Sequence, residues 1–216
     1  MVWQLSLFIW ISLVIVAGFL YAPLAEKLYE MTRIIYFHIP AAWVSVLAFL
    51  VSTVFSIRYL ATRAWGDDAR AAISALLGLL FAVLATVSGA IFAKAMWGAF
   101  WNWDPRETSI LLLLLIYGAY LTLRSAVDGE DKRARLAAVY NILAFVTVPF
   151  LVFIVPRLYF SLHPDPLLNA QGRLEMHPRM LQVFLASLAG FTMLYFWIFD
   201  LSWKVARLKR KLEEAL

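Results

Sequence analysis

The chain contains no cysteine. Disulfides and thiolate ligation are therefore excluded, and any metal-centred chemistry must use histidine, methionine, tyrosine or carboxylate. Charge is also scarce: Asp, Glu, Lys and Arg make up 15% of 216 residues, against about 25% in an ordinary soluble domain. There are only three histidines. What takes the place of charge is apolar surface. Hydrophobic residues make up 63% of the chain, gathered in long runs with few charges, which is the pattern of membrane spans. Six such runs leave little chain for a soluble domain. The sequence therefore reads as one all-α membrane domain over 1–216 with six transmembrane helices.

The runs lie at about Trp3–Leu20, Pro40–Leu60, Ile73–Ala93, Thr108–Leu123, Leu136–Val155 and Leu181–Leu201. The first is followed by small residues, Ala22 and Ala25, as a signal peptide would be. No Lys or Arg precedes it, so an uncleaved helix is the better reading. The mixed segment Pro23–Phe37 places Tyr29, Thr32, Arg33 and Tyr36 on one helical face by spacing and reads as a short interfacial helix.

The net charge is +5, but its placement speaks of topology and not of nucleic acid. Twelve cations lie in the segments after spans 2, 4 and 6: Arg58, Arg63, Arg70, Arg124, Lys132, Arg133, Arg135, Lys204, Arg207, Lys209, Arg210 and Lys211. Seven lie in the other three segments: Lys27, Arg33, Lys94, Arg106, Arg157, Arg173 and Arg179. The positive-inside rule puts the twelve, and both termini, in the cytoplasm. All three histidines then share the outer face.

That face also carries Trp97-Gly-Ala-Phe100-Trp101-Asn-Trp103-Asp104, four large aromatics within seven residues. An interfacial aromatic belt is the plain reading. A clustered run between two spans better suits a platform for a flat apolar ligand, since indoles give wide, rigid faces. This tryptophan-rich loop is expected over about 94–107. Asp104-Pro105-Arg106-Glu107 has the form of a helix start, with Asp104 as N-cap, Pro105 at N1 and Glu107 at N3. Capping is thus preferred over catalysis for both acids.

His38 stands in Tyr36-Phe37-His38-Ile39-Pro40, with Pro40 expected in the first turn of span 2. His163 stands in Leu162-His163-Pro164-Asp165-Pro166, where the prolines favour extended chain. A lone interfacial histidine is usually just solvated, but two neutral imidazoles flanking an aromatic loop suit the axial positions of iron in a porphyrin. His177 is a third ligand, a substitute or a bystander. Porphyrin propionates would seek cations, and Arg106 and Arg157 are the nearest in sequence. Both also fit as lipid headgroup anchors.

Three stretches carry a family resemblance: Tyr36-Phe37-His38-Ile39-Pro40-Ala41-Ala42-Trp43, Trp97 through Asp104, and Leu162-His163-Pro164. Over essentially its whole length the chain resembles the CcmC branch of the haem-handling proteins of cytochrome c maturation. The resemblance implies a non-enzymatic protein of the cell inner membrane. It would bind haem b non-covalently between His38 and His163, with Trp97, Phe100, Trp101, Trp103 and Asp104 as haem platform and docking surface. Its implied partners are the haem chaperone CcmE, the ATP-driven transporter CcmAB and the small membrane protein CcmD. One departure is plain: Pro156–Ser161 lacks the tryptophan pair that some relatives have before the second histidine. Two rival classes stay open on the residues alone, a haem lyase-type membrane enzyme and a solute transporter. The first would need Asp104 or Glu107 as an acid or base. The second would need buried ionisable residues, which the spans scarcely have.

Overall fold

The architecture comes from a computed structural model that describes residues 2–26, 28–163 and 176–215. Pro164 and Pro166 lie outside the described residues. In hydrocarbon every backbone N–H and C=O must be satisfied within the chain, and a helix does this locally. Each apolar run accordingly forms one: α1 (Val2–Leu20), α2 (Ile35–Thr62), α3 (Trp65–Trp97), α4 (Pro105–Ala126), α5 (Glu130–Pro149) and α7 (Pro178–Glu213). A π-helical turn, Phe150–Ile154, joins α5 to the short α6 (Val155–Leu158). Among the described residues, six helical stretches are long and apolar enough to cross a membrane, which bears out the expected fold class. They outrun the predicted spans. The 33 residues of α3 are about 50 Å long at 1.5 Å per residue, beyond a hydrocarbon core of about 30 Å.

The helices α2 and α3 form the central pair, with α5 and α4 on one side and α7 and α1 on the other. The α3 face toward α2 is built from small residues, Ala71, Ala75, Gly78, Ala82 and Ala85, which lets the two backbones approach. At Gly78 a Cβ would stand 2.6 Å from Phe49 Cε1. Phe49 in turn stacks on Tyr117 of α4, with ring centroids 3.5 Å apart. Buried hydrogen bonds add cohesion. Asn141 of α5 donates to Ser52 and Ser56 of α2 at 2.7 and 2.8 Å, and the Ser74 hydroxyl of α3 lies 2.7 Å from that of Tyr195 of α7.

One end of the bundle gathers the cations of the larger set. Arg124 grips Asp68 with two bonds of 2.6 and 2.8 Å, Arg58 and Arg70 lie beside Asp67, and Arg210 reaches Glu130. The opposite end is closed by polar contacts that the sequence did not announce. The Arg33 guanidinium donates to the Gly18 and Phe19 carbonyls, capping the open C-terminus of α1. Tyr29–Ile34 is a 3-10 turn running straight into α2, in place of the separate interfacial helix expected over Pro23–Phe37. The expected shared face is not kept: Tyr29, at φ 46°, is turned out and 73% exposed while Thr32 and Tyr36 are buried.

Pro40 also departs from expectation. The helix begins at Ile35, so Pro40 sits inside it and not in its first turn. A proline there leaves the carbonyl four residues earlier without its helical donor. That carbonyl is Tyr36 O, and the Ser187 hydroxyl of α7 donates to it. The defect in α2 thereby becomes a tie to α7.

Candidate functional site

The end bearing Arg33 also carries the start of α2, the end of α3, the start of α4, the end of α6 and the start of α7. These elements and the segments next to them hold the candidate site residues His38, Trp97, Phe100, Trp101, Trp103, Asp104, Arg106, Arg157, His163 and His177. The aromatic segment is shorter as a loop than expected: α3 continues through Trp97 and α4 starts at Pro105. Gly98 at φ 82° ends α3, and Lys94 Nζ donates 2.8 Å to its carbonyl. The turn from Gly98 to Asp104 includes Trp103 in the left-handed region at φ 56°. That conformation costs a bulky residue of the order of 1–2 kcal/mol. It turns Trp103 outward at 70% exposure, with its ring edge-on to Trp101 at 5.9 Å. Phe100 is also exposed, with Lys94 Nζ 5.6 Å from its ring.

Asp104 caps α4 as expected. Its Oδ1 accepts from Arg106 N–H at 2.9 Å, and Glu107 accepts from Asp104 N–H at 3.3 Å and Asn102 N–H at 2.7 Å. The cap is only part of its work. Asp104 also accepts from Leu162 N–H at 2.7 Å, from the Ser161 hydroxyl at 3.0 Å and from His163 Nδ1 at 3.0 Å. Its side chain is 1% exposed. Burial alone would raise its pKa, but this ring of donors outweighs burial and holds the carboxyl below its ordinary value. An acceptor-only carboxylate requires that His163 carry its proton on Nδ1, which leaves the lone pair on Nε2. Burial is the main influence on His163 and lowers its pKa, with Asp104 opposing but not cancelling it. Its ring is therefore neutral near pH 7.

Trp97 packs edge-on against His163, with centroids 4.9 Å apart, and against Phe92 at 5.4 Å. The aromatic neighbour of His163 thus comes from α3, not from the preceding segment Pro156–Ser161.

His38, one turn into α2, lies across from α3. Its Nδ1 is 3.0 Å from the Ser88 hydroxyl, which gives its own proton to the Leu84 carbonyl at 2.8 Å. With that proton on the carbonyl, the Ser88 oxygen is free to accept from Nδ1–H, and in this tautomer His38 too keeps its lone pair on Nε2. Gly89 makes room for this ring: a Cβ there would be 3.0 Å from His38 Cε1. His163 and Arg106 are close enough to His38 to act on it electrostatically.

The remaining candidates separate. Arg106 stands in the first turn of α4 beside the aromatic turn. Arg157 is exposed on α6 and donates 2.6 Å to the Phe153 carbonyl. His177 is exposed and caps α7, its Nδ1 accepting from Arg179 N–H at 3.2 Å. Sequence reasoning missed Ser88 and Gly89, which sit in an apolar run as ordinary small residues. It also missed Ser161 and Leu162 as partners of Asp104.

Fold and site together define a multi-pass helical membrane protein that assembles two imidazoles, a tryptophan-rich turn and a buried carboxylate at one end of its bundle. The family model described as "Heme exporter protein C" matches residues 1–216, and the chain belongs to that family, which serves cytochrome c biogenesis. Curated relatives of that name include those of Rhodobacter capsulatus, 29% identical over 84% of this chain and 75% of the relative, and Bradyrhizobium diazoefficiens, 31% identical over 76% and 62%. The Escherichia coli K12 relative is 30% identical over 82% of this chain and 71% of its own. The name describes a transport component and not an enzyme.

Proposed function

We propose that this chain binds haem b non-covalently at the outer face of the cell inner membrane and delivers it to the chaperone CcmE. The observation that carries the reading is the shared presentation of His38 and His163. Each has Nδ1 3.0 Å from a protein oxygen, so each, protonated on Nδ1, offers Nε2 to a metal. Among the described residues no three of His, Cys, Asp and Glu gather, as a bare ion would require. Two imidazoles beside an aromatic surface suit a metal already held in a macrocycle.

In this reading Trp97 sets the wall of the site beside His163. The exposed rings of Phe100 and Trp103, with Trp101 behind, form the platform and the surface that CcmE meets. Arg106 and Arg157 would be the cations that pair with the propionates in this reading. CcmAB and CcmD are companions in the same membrane. The cation-rich end faces the cytoplasm with both termini.

Co-purification tests delivery. Tagged protein expressed with CcmE should bring down haem and chaperone together, and combined Trp→Ala changes at Trp101 and Trp103 should reduce the chaperone, normalised to inserted protein. Unchanged recovery of both would reduce the aromatic turn to an interfacial anchor.

A further inference from the structure

The two histidines are held by unlike partners, and this difference has a chemical consequence. Behind His163 is a full negative charge, 1% exposed, fixed by donors from Arg106, Ser161 and Leu162. Behind His38 stand only neutral groups, the Ser88 hydroxyl 3.0 Å from Nδ1 and the Ala85 backbone carbonyl. A charge-assisted hydrogen bond is roughly twice as strong as a neutral one. A carboxylate on the far nitrogen also raises the donor strength of the ring toward a metal. The same carboxylate fixes the backbone on which His163 rides, through Leu162 N–H, so ring and main chain are set together.

We propose that the two axial positions are unequal: His163, backed by Asp104, is the retaining ligand, and His38, backed by Ser88, is the one that releases first. Hand-over of haem then begins at His38. The iron–Nε2 bond to His38 breaks, its electron pair stays on the imidazole, and the open position accepts a lone pair from a donor side chain of the acceptor protein. The iron keeps its oxidation state in this exchange. His163 holds the haem until the incoming ligand is bound, so the porphyrin is never loose at the membrane surface. Asp104 and Ser88 are positioning residues here, acting through the rings they hold.

The inference rests on the haem reading above. The experiment uses full-length purified protein loaded with hemin in detergent, each variant normalised to inserted protein. His38→Gly should retain haem in a five-coordinate, high-spin form, and added imidazole should restore the low-spin spectrum. His163→Gly should lose haem. Where His163→Gly fails to insert, the anchors give the same test with both histidines present. Asp104→Asn should lower haem affinity about 10- to 100-fold and raise the midpoint potential, and Ser88→Ala should do neither to a comparable degree. Equal loss in both histidine variants, or a Ser88→Ala effect as large as that of Asp104→Asn, would overturn the inequality and leave the haem reading standing. A wild-type low-spin spectrum in both histidine variants would overturn the haem reading and the inequality with it.

Discussion

Asp104 and His163 are 59 residues apart in sequence and joined by a single 3.0 Å hydrogen bond in the folded chain. The same carboxylate starts α4, so the helix cap and the ligand anchor are one group. Capping alone would make Asp104→Asn and Asp104→Ser nearly harmless and Asp104→Ala about 1 kcal/mol worse. The structure changes that ranking. Leu162 N–H and the Ser161 hydroxyl both point at Asp104, and an amide NH₂ cannot accept from them. Asp104→Asn should therefore cost about 1–3 kcal/mol, the penalty of a buried donor without a partner. Thermal unfolding of purified protein measures this. An Asn variant as stable as wild type would show that the Asp104–Leu162 junction carries no weight.

Two glycines make a controlled pair. Gly89→Ala places a methyl 3.0 Å from His38 Cε1, whereas Gly118 has nothing within 4 Å. Gly118→Ala should be neutral or stabilising by up to about 1 kcal/mol, from helix propensity. Gly89→Ala should tilt the His38 ring and alter the absorbance of bound haem at unchanged protein level. Identical spectra in the two variants would argue that His38 does not touch the haem.

Much of the frame was legible in the chain, and the reasons differ from element to element. Spans are written in composition, because hydrocarbon admits only apolar runs as helices. The Asp104-Pro105-Arg106-Glu107 cap is local chemistry and reads directly. The end of α3 at Trp97 was not legible, since tryptophan fits a helix end and an interface equally well. Arg33 was counted as a charge, but what it does depends on where the end of α1 lies in space. The contact of Asp104 with Ser161, Leu162 and His163 is tertiary and has no periodicity to betray it.

The Pro40–Ser187 tie gives a test of coupling. Ser187→Ala leaves the Tyr36 carbonyl without a donor and should destabilise by about 1–3 kcal/mol. Pro40→Ala restores an N–H that can bond Tyr36 within α2, so Ser187→Ala should cost clearly less in that background. A double-mutant cycle in thermal unfolding reads the difference. Strict additivity would contradict the tie.

Acid should release haem by a route set at His163. Its pKa lies below the ordinary 6.5, and only the neutral ring ligates. Haem occupancy should hold constant as pH falls to about 6.5 and decline below it. The same sign applies to stability: the unfolded chain takes the proton first, so the folded form is penalised as pH falls through that region. Occupancy that declines already above pH 7 would place a protonated His163 in the working protein.

The central claim is that His38 and His163 together hold one haem iron. Electron paramagnetic resonance of the ferric, haem-loaded protein tests it most directly. The expected wild-type spectrum is low-spin with the anisotropy of two imidazole ligands. In His38→Ala and in His163→Ala that signal should vanish, with high-spin iron or loss of haem in its place. A wild-type low-spin signal surviving in either variant would contradict the claim.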